Sequence, residues 1–328
     1  MTDTFENFME EWMKRLQEQA ENYGMKAELA DAVKNNGKIE KRIKVWMPGT
    51  NMAPLIDPMP FYEKYLESGD IKEAVDSILN FAWTVSKNQL DIPELLSKEN
   101  ILDNTYLKVI NTAVNQDLLK HTPHFLLAGG ELAAIPRLNI KMDENSGTVI
   151  IRDELLPRLQ MTGEELLEIA KDNTESQNLF EVNTLLGTLI NIMQEEGKDI
   201  ADDFSQYFTA ETPRVVVMSN KDRLYGASCL ACPKVLDTAI QMLGMDCYIL
   251  PSSIHEVILI EKTGEPGELE ALREMVKEVN RTEVAPEDVL SDKVFQFNTF
   301  TKRLGVALTE QEAKTLTKVP RRGTGLHI

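Results

Sequence analysis

Cysteine is scarce in this sequence, with three among 328 residues. So few thiols exclude a disulfide scaffold and fit a reducing interior, which makes the cytoplasm the expected compartment. No stretch approaches the ~20 consecutive apolar residues that a membrane-spanning helix requires, so no membrane association is expected. The N-terminal residues are acidic and amphipathic, without the basic start and uninterrupted apolar core of a secretory signal. Basic charge is outnumbered, at 35 Lys and Arg against 53 Asp and Glu, for a net charge of -18 and a pI near 4.8. Such a surface repels phosphate backbones, so a nucleic-acid partner is not expected. The densest basic groups are Lys34, Lys38, Lys41, Arg42 and Lys44, and Lys318, Arg321 and Arg322 near the end. Neither group interleaves aromatics for base stacking.

Cofactor chemistry is equally thin. Gly129-Gly130 follows an apolar run but lacks a third glycine and a following Lys-Ser/Thr pair, so nucleotide binding is unsupported. His121 and His124 are the closest histidine pair, and Pro123 between them prevents presentation on one helix face; no metal is expected. No cofactor is expected either.

What is present is the composition of a folded protein, 42% hydrophobic and 27% charged, in a pattern that alternates strand and helix signals. Phe5, Phe8, Met9, Trp12 and Leu16 recur at helical spacing up to about Asn22. Asn35-Asn36-Gly37 separates two strand-like runs, Met25 to Val33 and Ile39 to Met47, and marks a hairpin. Helical patterns follow from Phe61, from Ile71 behind a possible Asp70 cap, over Tyr106 to Leu119, after the Thr162 to Glu165 capping-box spacing, and over Leu179 to Glu195. Between them Leu132 to Arg152 alternates as a second hairpin around Asn145-Ser146-Gly147.

Thr212 to Asn280 carries most of the candidate chemistry. Arg214 to Met218, Leu224 to Leu230, Cys247 to Leu250 and Val257 to Ile260 read as strands, with helices beginning at Pro233 and near Gly267. This is a ββαββα unit, in which the second and third strands could run parallel through the helical crossover. The expected fold class is α+β, with antiparallel or mixed sheets packed against helices. The expected division is residues 1–200, then 201–298 after an acidic linker at Glu195 to Asp203, then a polar, partly mobile tail at 299–328.

A likeness rests on ordered motifs. They are Val33-Lys34-Asn35-Asn36-Gly37, Asn51 to Pro54 with Phe61-Tyr62-Glu63, Pro123-His124-Phe125, Thr162 to Lys171, and Ser219-Asn220-Lys221 with Gly226-Ala227. Leu250-Pro251-Ser252-Ser253-Ile254-His255-Glu256-Val257 and Val284 to Asp292 complete the set. In this order the chain resembles an uncharacterised bacterial family of unknown function, frequent in gut anaerobes and their mobile genetic elements. The resemblance covers most of residues 1–298 and departs after Asn298. It implies an intracellular bacterial protein and no particular activity.

Three clusters are candidate sites. Ser252, Ser253, His255 and Glu256 hold a nucleophile, a base and a carboxylate in one turn, the parts of an acyl-transfer site. Alternate residues of a strand face opposite ways, and no G-x-S-x-G elbow is present, so these residues could equally brace the turn. Asn220, Lys221 and Arg223 could hold an anion or form a solvated turn. Cys229 and Cys232 form a C-x-x-C before a helix start, where a redox pair would have a lowered thiol pKa; two space-filling thiols is the other reading. The incomplete catalytic set and the motif residues in turns favour a non-enzymatic interaction or regulatory protein with a protein or small-molecule partner. A hydrolase using the Ser252 to Glu256 turn is the alternative.

Overall fold

The apolar stripe of the first helix is where packing starts. In the computed structural model, which describes residues 5–49, 53–87, 94, 97–142, 145–177, 180–184, 187, 214–244 and 246–318, α1 spans Phe5–Asn22 and buries Phe8, Met9, Trp12, Met13, Leu16 and Ala20. The chain divides into two compact units, Met1–Asn100 with Met142–Glu144, and Ile101–Lys141 with Asn145–Ile328.

In the first unit, β1 (Lys26–Val33) and β2 (Ile39–Trp46) pair antiparallel, with Leu29 opposite Ile43 and Val33 opposite Ile39. The Asn-Gly signal is realised as a tight turn in which Asn36 and Gly37 both take positive φ, at 59° and 68°. The short β3 (Leu55–Ile56) adds to β2. Helix α2 (Met59–Ser68) stops on Gly69, and α3 (Ile71–Lys87) starts behind Asp70, whose carboxylate accepts the Lys72 N–H at 2.8 Å. Trp12, Ile43, Val45, Val75 and Ile78 meet in one core.

Among its described residues the second unit contains two sheets. α4 (Lys98–Asn104) leads into β4 (Thr105–Asn111), followed by α5 (Gln116–Leu119), β5 (Phe125–Leu127), β6 (Leu132–Met142) and β7 (Asn145–Ile150). β6 lies between β4 and β5 and also pairs β7. α6 (Leu156–Leu159) and α7 (Gly163–Gln177) come next. The capping box of α7 closes in both directions, Glu165 N–H to Thr162 Oγ1 at 3.2 Å and Thr162 N–H to Glu165 Oε2 at 2.8 Å. The remaining strands, β8 (Phe180–Thr184), β9 (Val215–Asn220), β10 (Cys247–Leu250), β11 (Val257–Glu261), β12 (Phe295–Asn298) and β13 (Arg303–Val306), form a sheet of order β13-β12-β10-β11-β9-β8. Its pairings are antiparallel.

Helix α8 (Pro233–Leu243) packs with Ile249, Val257 and Leu259 on one face of that sheet, and α9 (Glu268–Thr282) with Leu250, Ile258 and Ile260 on the other. Cover on both faces is why Cys247 to Leu250 and Val257 to Ile260 are continuous apolar runs. The fold is α+β, as the alternation of signals predicts.

Several local expectations are corrected. Leu224 to Leu230 is not a strand: Arg223 and Tyr225 take positive φ (50° and 59°), and Gly226–Ala231 winds as a buried 3-10 helix into α8. No parallel crossover therefore exists between it and β10, and β9 pairs with β8 instead. The Tyr106 part of the expected Tyr106 to Leu119 helix is β4, whose register with β6 alternates core and opposite-face residues. Phe180–Thr184, expected within a helix, is strand β8; residues 188–195 of that helix lie outside the described residues. The expected linker from Glu195 to Asp203 and the tail tip at Pro320 to Gly325 also lie outside them. After Asn298 the sheet continues through β13, and α10 (Glu310–Lys318) is tied to α9 by the Arg273–Glu312 ion pair at 2.9 Å.

Candidate functional site

The turn from Pro251 to Glu256 joins two strands of the sheet core, and its polar atoms are taken up locally. Ser252 Oγ donates to Glu256 Oε1 at 3.0 Å, and Ser253 Oγ accepts the His255 N–H at 3.0 Å. The Ser253 N–H donates to the Glu256 carbonyl at 3.2 Å and the Ile254 N–H to the Asp288 carbonyl at 2.8 Å. Ser219 Oγ, at the end of β9, donates to the His255 carbonyl at 2.8 Å.

The imidazole faces away from the serines. Its Nδ1 accepts the Tyr225 N–H at 3.1 Å, and Nε2 lies 3.3 Å from Asp288 Oδ1, partners that place the proton on Nε2. The Tyr225 ring stacks on it with centroids 5.5 Å apart. A general base needs a free lone pair aimed at the proton it removes, and here that lone pair is engaged by backbone. The structure therefore brings together His255, Tyr225, Asp288 and Ser219, and directs the Ser252 and Ser253 hydroxyls to the turn itself.

Asn220 is buried and brackets its loop, Nδ2 donating to the Leu224 carbonyl at 2.8 Å and Oδ1 accepting the Leu224 N–H at 3.0 Å. Both ends of the amide are engaged, while Lys221 and Arg223 sit exposed on the loop. Cys229 and Cys232 are buried free thiols, the first inside the 3-10 helix and the second between that helix and α8, not at the end of a strand. Burial pushes the Cys229 thiol well above its ordinary range and Cys232 up to about 12, and Cys247 is raised to about 11 by the same cause. Since the thiolate is the reactive form, this environment opposes redox chemistry at neutral pH. His124 Nδ1 lies 2.9 Å from the Thr122 carbonyl. Among the described residues no three His, Cys, Asp or Glu side chains group as metal ligands, and no helix is long and apolar enough to cross a membrane.

A cationic cluster next to Tyr225 was not anticipated. β4 and β6 pair Tyr106 with Arg137, and Lys108 follows two residues on, on the same face. Arg137 is 3% and Lys108 8% exposed. The Arg137 guanidinium carbon lies 4.9 Å from the Tyr225 ring centroid and 5.4 Å from that of Tyr106; Lys108 Nζ lies 4.8 Å from Tyr225. Arg137 Nη1 donates to Asn139 Oδ1, while Nε is buried without a partner among the described residues. Desolvation lowers the Arg137 pKa to about 10, leaving it a cation at neutral pH. The available signal was one arginine inside the apolar strand Ala133-Ala134-Ile135-Pro136-Arg137-Leu138.

The model of a family of unknown function, DUF5688, matches residues 5–299. No curated protein and no solved structure matches the chain.

Proposed function

The chain belongs to the DUF5688 family, and we propose that it is a non-enzymatic interaction or regulatory protein of the bacterial cytoplasm, carried with mobile genetic elements. Its three cysteines are buried free thiols, as suits a reducing compartment. Bacterial origin and mobile elements enter from the likeness of its ordered motifs.

The observation that carries the interaction reading is a sheet face covered at one end only. Along the β1–β2 hairpin, Ile43 and Val45 are fully buried under the core of the first unit, yet on the same face Val33 and its partner Ile39 are 74% and 62% exposed. Leu29 is also exposed, and an Asp31–Lys41 ion pair lies between it and the tip. Apolar side chains interleaved with charge match the make-up of a non-obligate protein interface. A partner supplying an apolar segment would complete the cover that the helices begin.

The test substitutes Val33→Lys together with Ile39→Lys. Because both side chains are exposed, the folded state should change by no more than about 0.5 kcal/mol. Partners captured by the wild-type chain from its host and identified by mass spectrometry should be lost with the double variant. The same partners on both proteins would overturn the assignment of this surface. Turnover of an ester or amide substrate that disappears in His255→Asn would overturn the non-enzymatic reading and establish the hydrolase.

A further inference from the structure

Arg137 is the most deeply placed charge for which the described residues supply no counter-ion. Arg42, more exposed, has Glu40 and Asp57, and Arg273 has Glu312. In a chain with 53 acidic residues, a carboxylate opposite Arg137 would be easily supplied. Instead it meets the neutral amide of Asn139 and two aromatic rings. Cation–π contact offsets only part of the cost of removing a guanidinium from water, and a buried unpaired donor adds to the deficit. Among the described residues Asp222, which is exposed, is the carboxylate that acts on Arg137 through space.

The geometry left open is specific. With Nη1 engaged by Asn139, the guanidinium edge that has no partner among the described residues is Nε, itself buried, with Nη2, two parallel N–H directions that match two oxygens of one oxyanion. A second cation is close by, since Lys108 Nζ and the Arg137 guanidinium each lie within 5 Å of the Tyr225 ring centroid. The surrounding residues are half-buried: Tyr225 Oη lies 3.3 Å from Thr148 Oγ1, and the Tyr106 ring and the Asn139 amide both meet the Arg137 guanidinium. Two cations favour a dianion over a monoanion.

We propose that Arg137 and Lys108 form a binding site for the phosphate group of a small phosphorylated molecule, held edge-on by Arg137 Nε and Nη2 beneath a rim of Tyr106, Thr148 and Tyr225. The site lies wholly within the second unit and is independent of the hairpin surface, so either assignment stands or fails alone. Bound phosphate would supply a counter-charge that the described residues do not, and stabilise the folded chain by mass action.

The experiment follows thermal unfolding of the full chain while inorganic phosphate, phenyl phosphate and acetate are titrated at fixed ionic strength. Wild type should show a saturable rise in melting temperature with both phosphates and not with acetate. Arg137→Met should weaken the phosphate response at least about tenfold, and without phosphate it should melt no lower than wild type, because a buried charge with no counter-ion among the described residues has been removed. Asn139→Asp, which installs an internal carboxylate beside the guanidinium, should raise the phosphate-free melting temperature and abolish the response. It provides the reading should Arg137→Met fail to fold. No response in wild type, an equal response to acetate, or a response unchanged in Asn139→Asp would overturn the proposal.

Discussion

Gly226→Ala should destabilise the second unit by about 3 kcal/mol or more, at the upper end of overpacking costs, because the atoms in its way are largely backbone. A β-carbon there would stand 2.4 Å from the His255 carbonyl oxygen, 2.5 Å from Ser219 Oγ and 2.7 Å from Ser219 Cα. None of these is the loose end of a long side chain. To make room, the start of the 3-10 helix must move off the turn between β10 and β11. That movement breaks the Tyr225 N–H to His255 Nδ1 bond and strains the Ser219 to His255 bond, leaving partly buried polar groups unpaired. Gly305 in β13 serves as a control, since its added carbon meets nothing within 4 Å. Urea titrations should show a sharply lowered midpoint for Gly226→Ala and a small change for Gly305→Ala. Equal midpoints would mean that the loop does not pack against the His255 turn.

The same glycine shows where sequence reasoning stops. Leu224 to Leu230 is a short apolar run, and periodicity alone does not separate a buried strand from a buried helical turn. What decides it is the left-handed backbone at Arg223 and Tyr225 and the close approach at Gly226, both tertiary in origin. Signals closed within a few residues were legible: the Asn36-Gly37 turn and the Thr162 box. Tyr106, Val109 and Ile110 fall at helical spacing although they lie in strand β4, and the partner that decides for a strand, β6, lies elsewhere in the chain.

For the candidate site, the sequence marks His255 but not what it touches. Its ring partners are Tyr225 and Asp288, from two other segments, and the latter lies in a motif noted only for its order. Arg137 was visible as an odd charge in an apolar strand. Its significance depends on no carboxylate among the described residues pairing with it, and that is a property of the folded chain.

Trp12→Ala should cost about 3–5 kcal/mol, the range for a large aromatic cut from a packed core. The ring is fully buried, with Phe8 and Phe61 at centroid distances of 5.0 Å and 5.3 Å, and it packs with Ile43, Val75 and Ile78. Its Nε1 is buried with no hydrogen-bond partner among the described residues. The indole therefore contributes through volume, and its N–H counts against it. Trp12→Phe keeps most of the packing and removes the orphan donor, so its net cost should stay below about 1.5 kcal/mol. The core around Trp12 is built from α1, β2 and α3, and that of the second unit from other strands and helices. Hydrogen exchange in Trp12→Ala should accelerate across α1, β2 and α3 while the amides of β9, β10 and β11 keep their protection. Equal loss in both sets would show that the two cores melt as one cooperative structure, and a Trp12→Phe penalty matching that of Trp12→Ala would show that the indole N–H has a partner after all.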